Sequence, residues 1–324
     1  MRIAVAASIA TDNLMTFQGR ISEQLIADQL EQISLSFLVD QLDVRYGGVA
    51  ANISFSMGQL GQRPILVGSV GPDFEEYRQW LDRHGVDTSQ VRVSSEHHTA
   101  RFVCTTDQDK NQIASFYPGA MAEARDISIG EVADRVGGLD LVLIGADDPV
   151  AMTRHTEQCR ELGIPFAADP SQQMALMDGE GIRSVVDGAA YLLTNEYEKS
   201  LCEQKTGWSD EEVLDRVGMR ITTLGEKGSR IDRKGEPPIH VPSAQVNTVA
   251  DPTGAGDAFR AGFFTGLGRK LSLERSLQLG NAVAVHVLET SAPQEHTLTT
   301  QSITERLSAS YGDEVAQEIG ATLS

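Results

Sequence analysis

The chain has 324 residues, 40% hydrophobic and 23% charged, which suits one large globular domain or a domain with a smaller appendage. Its 46 acidic and 27 basic side chains leave a formal net charge of -19. That balance excludes the broad basic face required by nucleic acid or an anionic membrane, but not a nucleotide, whose phosphates need only a local positive site. Cys104, Cys159 and Cys202 form neither a C-x-x-C pair nor a zinc spacing, so reduced thiols in a cytoplasmic protein are expected.

Residues 2–10 read as a buried first strand, since the run Ile3-Ala4-Val5-Ala6-Ala7 is too short for a signal peptide or a membrane span. Asp12 would fall just past the end of that strand, where ligands collect in open α/β sheets. Residues 33–39 alternate polar and apolar, as a sheet with one wet face would. After Gly47-Gly48, the spacing of Val49, Ile53, Met57 and Leu60 predicts one apolar face of a helix, stopped by Gly61. A strand at 64–68 and a helix at 73–84 follow. Residues 99–117 are again strand-like around a polar turn at 107–111.

Beyond that point strands at 139–145, 165–169, 190–195 and 219–224 alternate with helices, and the tail at 303–323 is helical. Repeated β-then-α units imply an α/β fold, a mostly parallel sheet covered on both faces. The non-alternating stretches 13–46 and 99–117 would form a small helix-free sheet acting as a lid. The large domain would then comprise 1–12, 47–98 and 118–324.

The chemistry centres on Asp251-Pro252-Thr253-Gly254-Ala255-Gly256-Asp257, which follows an extended segment at 246–249 and opens a helix running through Phe263 and Leu267. At a helix start the backbone N–H groups lack intrahelical partners and the macrodipole is positive, so Gly254, Ala255 and Gly256 can cradle an anion. Asp257 follows at once. An anion cradle beside a base is what phosphoryl transfer to a hydroxyl requires. A Gly-rich turn with an acidic residue favoured by the dipole is the plain alternative. No Walker A, G-x-G-x-x-G or H-E-x-x-H motif is present, so a phosphoryl-transfer reading rests on this cradle.

Asn195 and Glu198, at a strand end, could hold a hydrated magnesium, or could simply begin a helix. The glycine-bracketed turn at 222–228 could admit a nucleotide phosphate. Asp12 and Asn52 offer the acceptor and donors that a vicinal diol needs. Phe37, Phe102 and Phe116, from lid strands, could stack on a purine or simply be core.

Gly47-Gly48-x-x-x-Asn52, with Gly58 and Gly61, resembles the first signature of the ribokinase-like (PfkB) carbohydrate and nucleoside kinases. The 251–257 string resembles the second, and Asn195-x-x-Glu198 is similar to that family's magnesium and phosphate motif. The likeness runs over nearly the whole chain and lies closest to the bacterial ribokinase-like adenosine kinases, on stretches 34–40, 99–102, 114–121 and 168–173.

The resemblance implies a central sheet with a small β lid, which in this branch tends to pair two subunits. Asp257 would take the proton of the 5′-hydroxyl of adenosine as it attacks ATP, and residues 254–256 would stabilise the transferred group. Asp12, Gly48 and Asn52 would hold the ribose, while Ser8, Ser36, Phe102, Phe116, Gln172 and Gln173 would surround the base. Asn195, Thr223, Gly225, Gly228 and Gly256 would line the ATP side. Glu198 would hold Mg²⁺ through water, and potassium could stimulate the enzyme.

Two departures stand out. Ser8 replaces a glycine common in the sugar kinases, and Pro252 replaces the commoner Thr. A sugar kinase for ribose or fructose is the same-class alternative. A nucleoside-binding protein without catalysis is the remote one.

Overall fold

The computed structural model describes residues 1–24 and 34–323. The main sheet has nine strands: β1 (Ile3–Ala6), β4 (Ile65–Val70), β5 (Val91–Val93), β8 (Leu141–Ile144), β9 (Phe166–Ala168), β10 (Tyr191–Asn195), β11 (Met219–Thr223), β12 (Ser229–Asp232) and β13 (Ile239–Val241). They run in the order β13-β12-β11-β10-β9-β8-β1-β4-β5. From β11 to β5 all neighbours are parallel, and β12 and β13 add an antiparallel edge.

The apolar runs of the central strands are continuous because both faces are buried, and successive side chains point to opposite faces. Ile3, Val5, Leu141, Leu143 and Ala167 enter one core layer, and Ala4, Ala6, Val142, Ile144 and Ala168 the other. The first layer packs on helices Val49–Gln59 and Ala255–Gly268, the second on helices such as Pro149–Leu162.

The second sheet orders β3 (Gln41–Gly47), β2 (Ala10–Thr16), β6 (Ala100–Thr106) and β7 (Gln112–Tyr117) as β3-β2-β6-β7. Two antiparallel hairpins join through a parallel β2–β6 pair.

Several expectations change. The first strand ends at Ala6, and Asp12 lies inside β2, opposite Arg45 and Phe102, rather than past a strand end. The run from Ile3 to Ala10, apolar except at Ser8, hid the point where the chain leaves one sheet for the other. Residues 34–39 pair with no strand; Ile33 lies outside the described residues, and the lid strand begins at Gln41. Phe37 therefore comes from an irregular segment, packing on Phe17 with ring centroids 5.0 Å apart. The lid is not helix-free either, since Ile21–Gln24 makes one helical turn whose Ile21 N–H donates to Asp107.

Helix Val49–Gln59 buries residues 50–57 all round rather than along one face, because Ala, Ser and Asn fill the sides between the larger apolar residues. The segment 246–249 is in no sheet: Asn247 N–H goes to Glu289 and Ala250 N–H to the Leu288 carbonyl. Gly312, with φ 94°, divides the tail into helices Thr300–Tyr311 and Asp313–Leu323.

Among the described residues no helix is long and apolar enough to cross a membrane.

Candidate functional site

A parallel sheet brings the C-terminal ends of its strands to one edge, and the chain turns there. Ser8 follows β1, Asp169 follows β9, Asn195 ends β10 and Thr223 ends β11. Helix Ala255–Gly268 aims its N-terminus at the same edge. Its N-cap, Gly254, is left-handed at φ 78°, and a Cβ there would stand 2.6 Å from Cβ of Pro293, so glycine alone fits. The Ala255 N–H closes a turn on the Pro252 carbonyl. The first-turn N–H groups beyond it have no intrahelical acceptor and face a cavity of about 320 Å³. Gln172, Asn195, Glu198 and Thr223 line one side of that cavity; Gly254, Gly256, Asp257 and Arg260 line the other.

Asp257 has the chemistry of a base. Burial pushes its carboxyl up to about 7, against the pull of the Arg260 guanidinium and of Asn52, whose Nδ2 donates to Oδ2 at 2.9 Å; the Asp169 charge adds to the rise. A carboxylate poised near neutrality both accepts and gives up a proton at working pH.

Each nitrogen of the Arg260 guanidinium donates one hydrogen bond. Its Nε and Nη2 donate to the two oxygens of Asp169, and Nη1 donates to the Gly256 carbonyl at 2.9 Å. The pair therefore ties the loop after β9 to the first turn carrying the cradle. Sequence reasoning missed it, because nothing local says that residues 91 positions apart meet.

Asn195 and Glu198 form a reciprocal capping box: Asn195 Oδ1 accepts from the Glu198 N–H and Glu198 Oε2 from the Asn195 N–H, both at 2.8 Å. Glu198 Oε1 has only a 3.5 Å contact from Ser171, and burial raises its carboxyl above the usual range. Gly225, at φ 58°, leaves open space where a Cβ would stand, whereas a Cβ on Gly228 would meet the Val241 carbonyl at 2.1 Å. Gly228 is thus required by strand packing, and neither glycine lines the cavity.

On the lid side, Arg45, Asp12, Phe102 and Phe116 occupy one register row across β3-β2-β6-β7, which puts their side chains on one face. Burial raises the Asp12 carboxyl and Arg45 opposes it. Gly48, at φ 92°, comes within 2.6 Å of the Ser8 carbonyl and the Ala10 nitrogen at its missing Cβ, and the Ser8 hydroxyl accepts from the Val49 N–H at 3.2 Å. Gly48→Ala is expected to cost about 2–3 kcal/mol of stability, read as a lower urea midpoint at unchanged slope.

The structure separates Gln172, in the cavity, from Gln173, which donates to the Asp147 carbonyl at 2.7 Å. Ser36 is exposed in the irregular segment and makes no described contact with the others. Gln294, which no sequence pattern marked, donates to Asn52 Oδ1 at 2.9 Å.

Residues 14–300 match the pfkB family of carbohydrate kinases. A nucleoside kinase of Methanothermobacter thermautotrophicus is 30% identical over 89% of this chain and 92% of its own length. The ribokinase of Bacillus subtilis is 27% identical over 74% and 79%. The ligand-free nucleoside kinase of Burkholderia thailandensis superposes with a TM-score of 0.86 at 35% identity, covering 94% of this chain and 99% of that one. The same protein in complex with inosine gives 0.83 at 34%, covering 96% and 99%. A match over this much of the chain, on a fold that turns a helix N-terminus and a near-neutral carboxylate toward one cavity, places the protein in the pfkB, ribokinase-like family, as an ATP-dependent kinase whose acceptor is a sugar or a nucleoside.

Proposed function

We propose that the acceptor is a nucleoside, adenosine, phosphorylated on its 5′-hydroxyl to give AMP and ADP. The observation that carries this reading is the row Asp12–Phe102–Phe116: a carboxylate for the ribose diol in register with two rings for a flat base. The inosine complex of the Burkholderia relative agrees with a nucleoside acceptor.

In the reaction, the 5′-oxygen attacks the γ-phosphorus, its proton passes to Asp257, and the bond to the β-phosphate oxygen breaks to release ADP. The cradle of residues 254–256, with the Ala255 N–H leaving its turn on the Pro252 carbonyl, takes up the charge on the transferred group. Asp12, Gly48 and Asn52 hold the ribose. Ser8, Ser36, Phe102, Phe116, Gln172 and Gln173 surround the base, with Ser36 and Gln173 reaching it only by movement of their segments. Asn195, Thr223 and Gly256 take the ATP side, with Gly225 and Gly228 shaping the turn beside it. Glu198 Oε1, with one long contact, suits a hydrated Mg²⁺, which usually keeps several waters; bound, it would neutralise phosphate charge.

On this reading the enzyme serves purine salvage in the cytoplasm, potassium stimulates it, and the four-stranded sheet β3-β2-β6-β7, which begins at Ala10 rather than at residue 13, acts as the lid. The lid exposes Leu42 and Val44 on one edge strand and Ile113 and Tyr117 on the other, all on the face opposite Phe102 and Phe116, apolar surface that would pair two copies. Sedimentation should then give a dimer.

A coupled ADP-release assay with adenosine, inosine, guanosine, ribose and fructose tests the assignment. Turnover with adenosine well above the rest is expected; preference for ribose or fructose would instead install the sugar-kinase reading, which the ribokinase likeness favours. The base must be ionised to accept a proton, so with its pKa about 7, kcat/KM should fall tenfold per pH unit on the acid side of neutrality.

A further inference from the structure

Behind the cleft, Trp80, Tyr77, Gln294 and Asn52 form a hydrogen-bonded chain that ends on Asp257. Trp80 Nε1 donates to Gln294 Oε1 at 3.1 Å; Gln294 Nε2 donates to Asn52 Oδ1 at 2.9 Å and to the Tyr77 hydroxyl at 2.6 Å; Asn52 Nδ2 donates to Asp257. The Tyr77 hydroxyl in turn donates to the Gly47 carbonyl at 2.9 Å. Gln294, Asn52 and Tyr77 are all buried.

The direction of this chain is not arbitrary. A side-chain amide can present either end, but an indole N–H only donates. Trp80 therefore obliges Gln294 to turn its oxygen toward the ring and its NH₂ toward Asn52. Asn52 must then accept on Oδ1, which leaves Nδ2 for the carboxylate. With the amide of Asn52 reversed, two oxygens would face each other.

We propose that Gln294, its amide fixed by the Trp80 indole, is a positioning residue that holds Asn52 with its NH₂ on Asp257. The turn carrying Gln294 also places Pro293 against the missing Cβ of Gly254, so one short segment registers both the base and the anion cradle. The inference rests on the reading of Asp257 as the base.

Other charges act on Asp257 as well. Arg260 lies on its own helix, Asp169 follows β9, and Glu198 begins the helix Glu196–Thr206 and couples to Arg260. Asp12 and Arg45 are on the lid. None of these is hydrogen-bonded to Gln294 or Trp80; Arg45 borders one cavity with both, and Arg83 and His84 pack on the Trp80 ring, which Phe at that position would keep.

The test reads Asp257 without substrate: ¹³C NMR titration of the Asp carboxyl groups in the intact protein, with the Asp257 signal identified by its loss in Asp257→Asn. Gln294→Leu frees Asn52 to turn away, and the ionised carboxylate loses a donor. The midpoint should rise by about half to one pH unit, and kcat should fall about tenfold with KM for ATP little changed. Trp80→Phe keeps Gln294 but removes the donor that orients it, and should move the midpoint the same way; it decides the matter if Gln294→Leu does not fold. Gln294→Glu, which keeps the shape but cannot donate when ionised, should resemble Gln294→Leu. A midpoint unmoved in folded Gln294→Leu, or in Trp80→Phe where the former is unfolded, overturns the proposal. If the midpoint moves but no nucleoside or sugar is turned over, the positioning stands and the assigned reaction fails.

Discussion

Asp257→Asn is expected to lower kcat by about 10²–10⁴-fold, the usual contribution of a general base, with KM for ATP within about twofold. The substitution keeps the shape at the start of the helix and can still meet an Asn52 amide, so the loss would report on proton acceptance. Stability supplies an independent check. A carboxyl raised in the fold to about 7 from 3.8 favours the folded state at low pH, an advantage complete below about pH 4 and lost as pH rises through 7. The Asn variant has no such penalty, so at pH 8 it should exceed the parent by about 1–3 kcal/mol in urea unfolding. An inactive variant no more stable at pH 8 would show that the parent carboxylate ionises normally. A variant with near-parent kcat would remove Asp257 from the chemistry.

Arg260→Met should be the most destabilising single change at the site. It strands the Asp169 carboxylate, which is 0% exposed, without its bidentate partner. Breaking one half of a buried pair costs about 3–5 kcal/mol, whereas replacing both halves by apolar groups is often neutral. Asp169→Leu combined with Arg260→Met should therefore recover most of the loss. Arg260 is also the chief opposing charge on Asp257, so in the double variant the acid limb of kcat/KM should move to higher pH. A double variant as unstable as the single one would mean that Arg260 acts mainly through its bond to the Gly256 carbonyl.

Much of this architecture was legible from residue types because the relevant forces are local. Continuous apolar runs marked the two-face-buried strands, Gly254 and Gly256 marked a helix start that an anion can approach, and Gly47-Gly48 marked the break before the helix at Val49. The failures share a different cause. Strand β2 has no pattern of its own that separates it from β1, and its place in the lid depends on β6, far along the chain. The alternation at 34–39 is real as a pattern of exposure, but among the described residues no strand pairs with it. At 246–249 the backbone N–H groups found a helix C-terminus and Glu289 instead of a ladder.

The sequence by itself determined the α/β class, a glycine-rich helix start followed at once by a carboxylate, and the family to which those strings point, since each rests on backbone conformation and spacing within a short stretch. Only the tertiary structure decided that Asp12 stands in register with Phe102 and Phe116, that Arg260 closes on Asp169, and that Trp80 and Gln294 reach Asp257 through Asn52. Those relations join residues dozens to hundreds of positions apart. They exist because a parallel sheet collects its strand ends at one edge and its buried polar atoms must all find partners there.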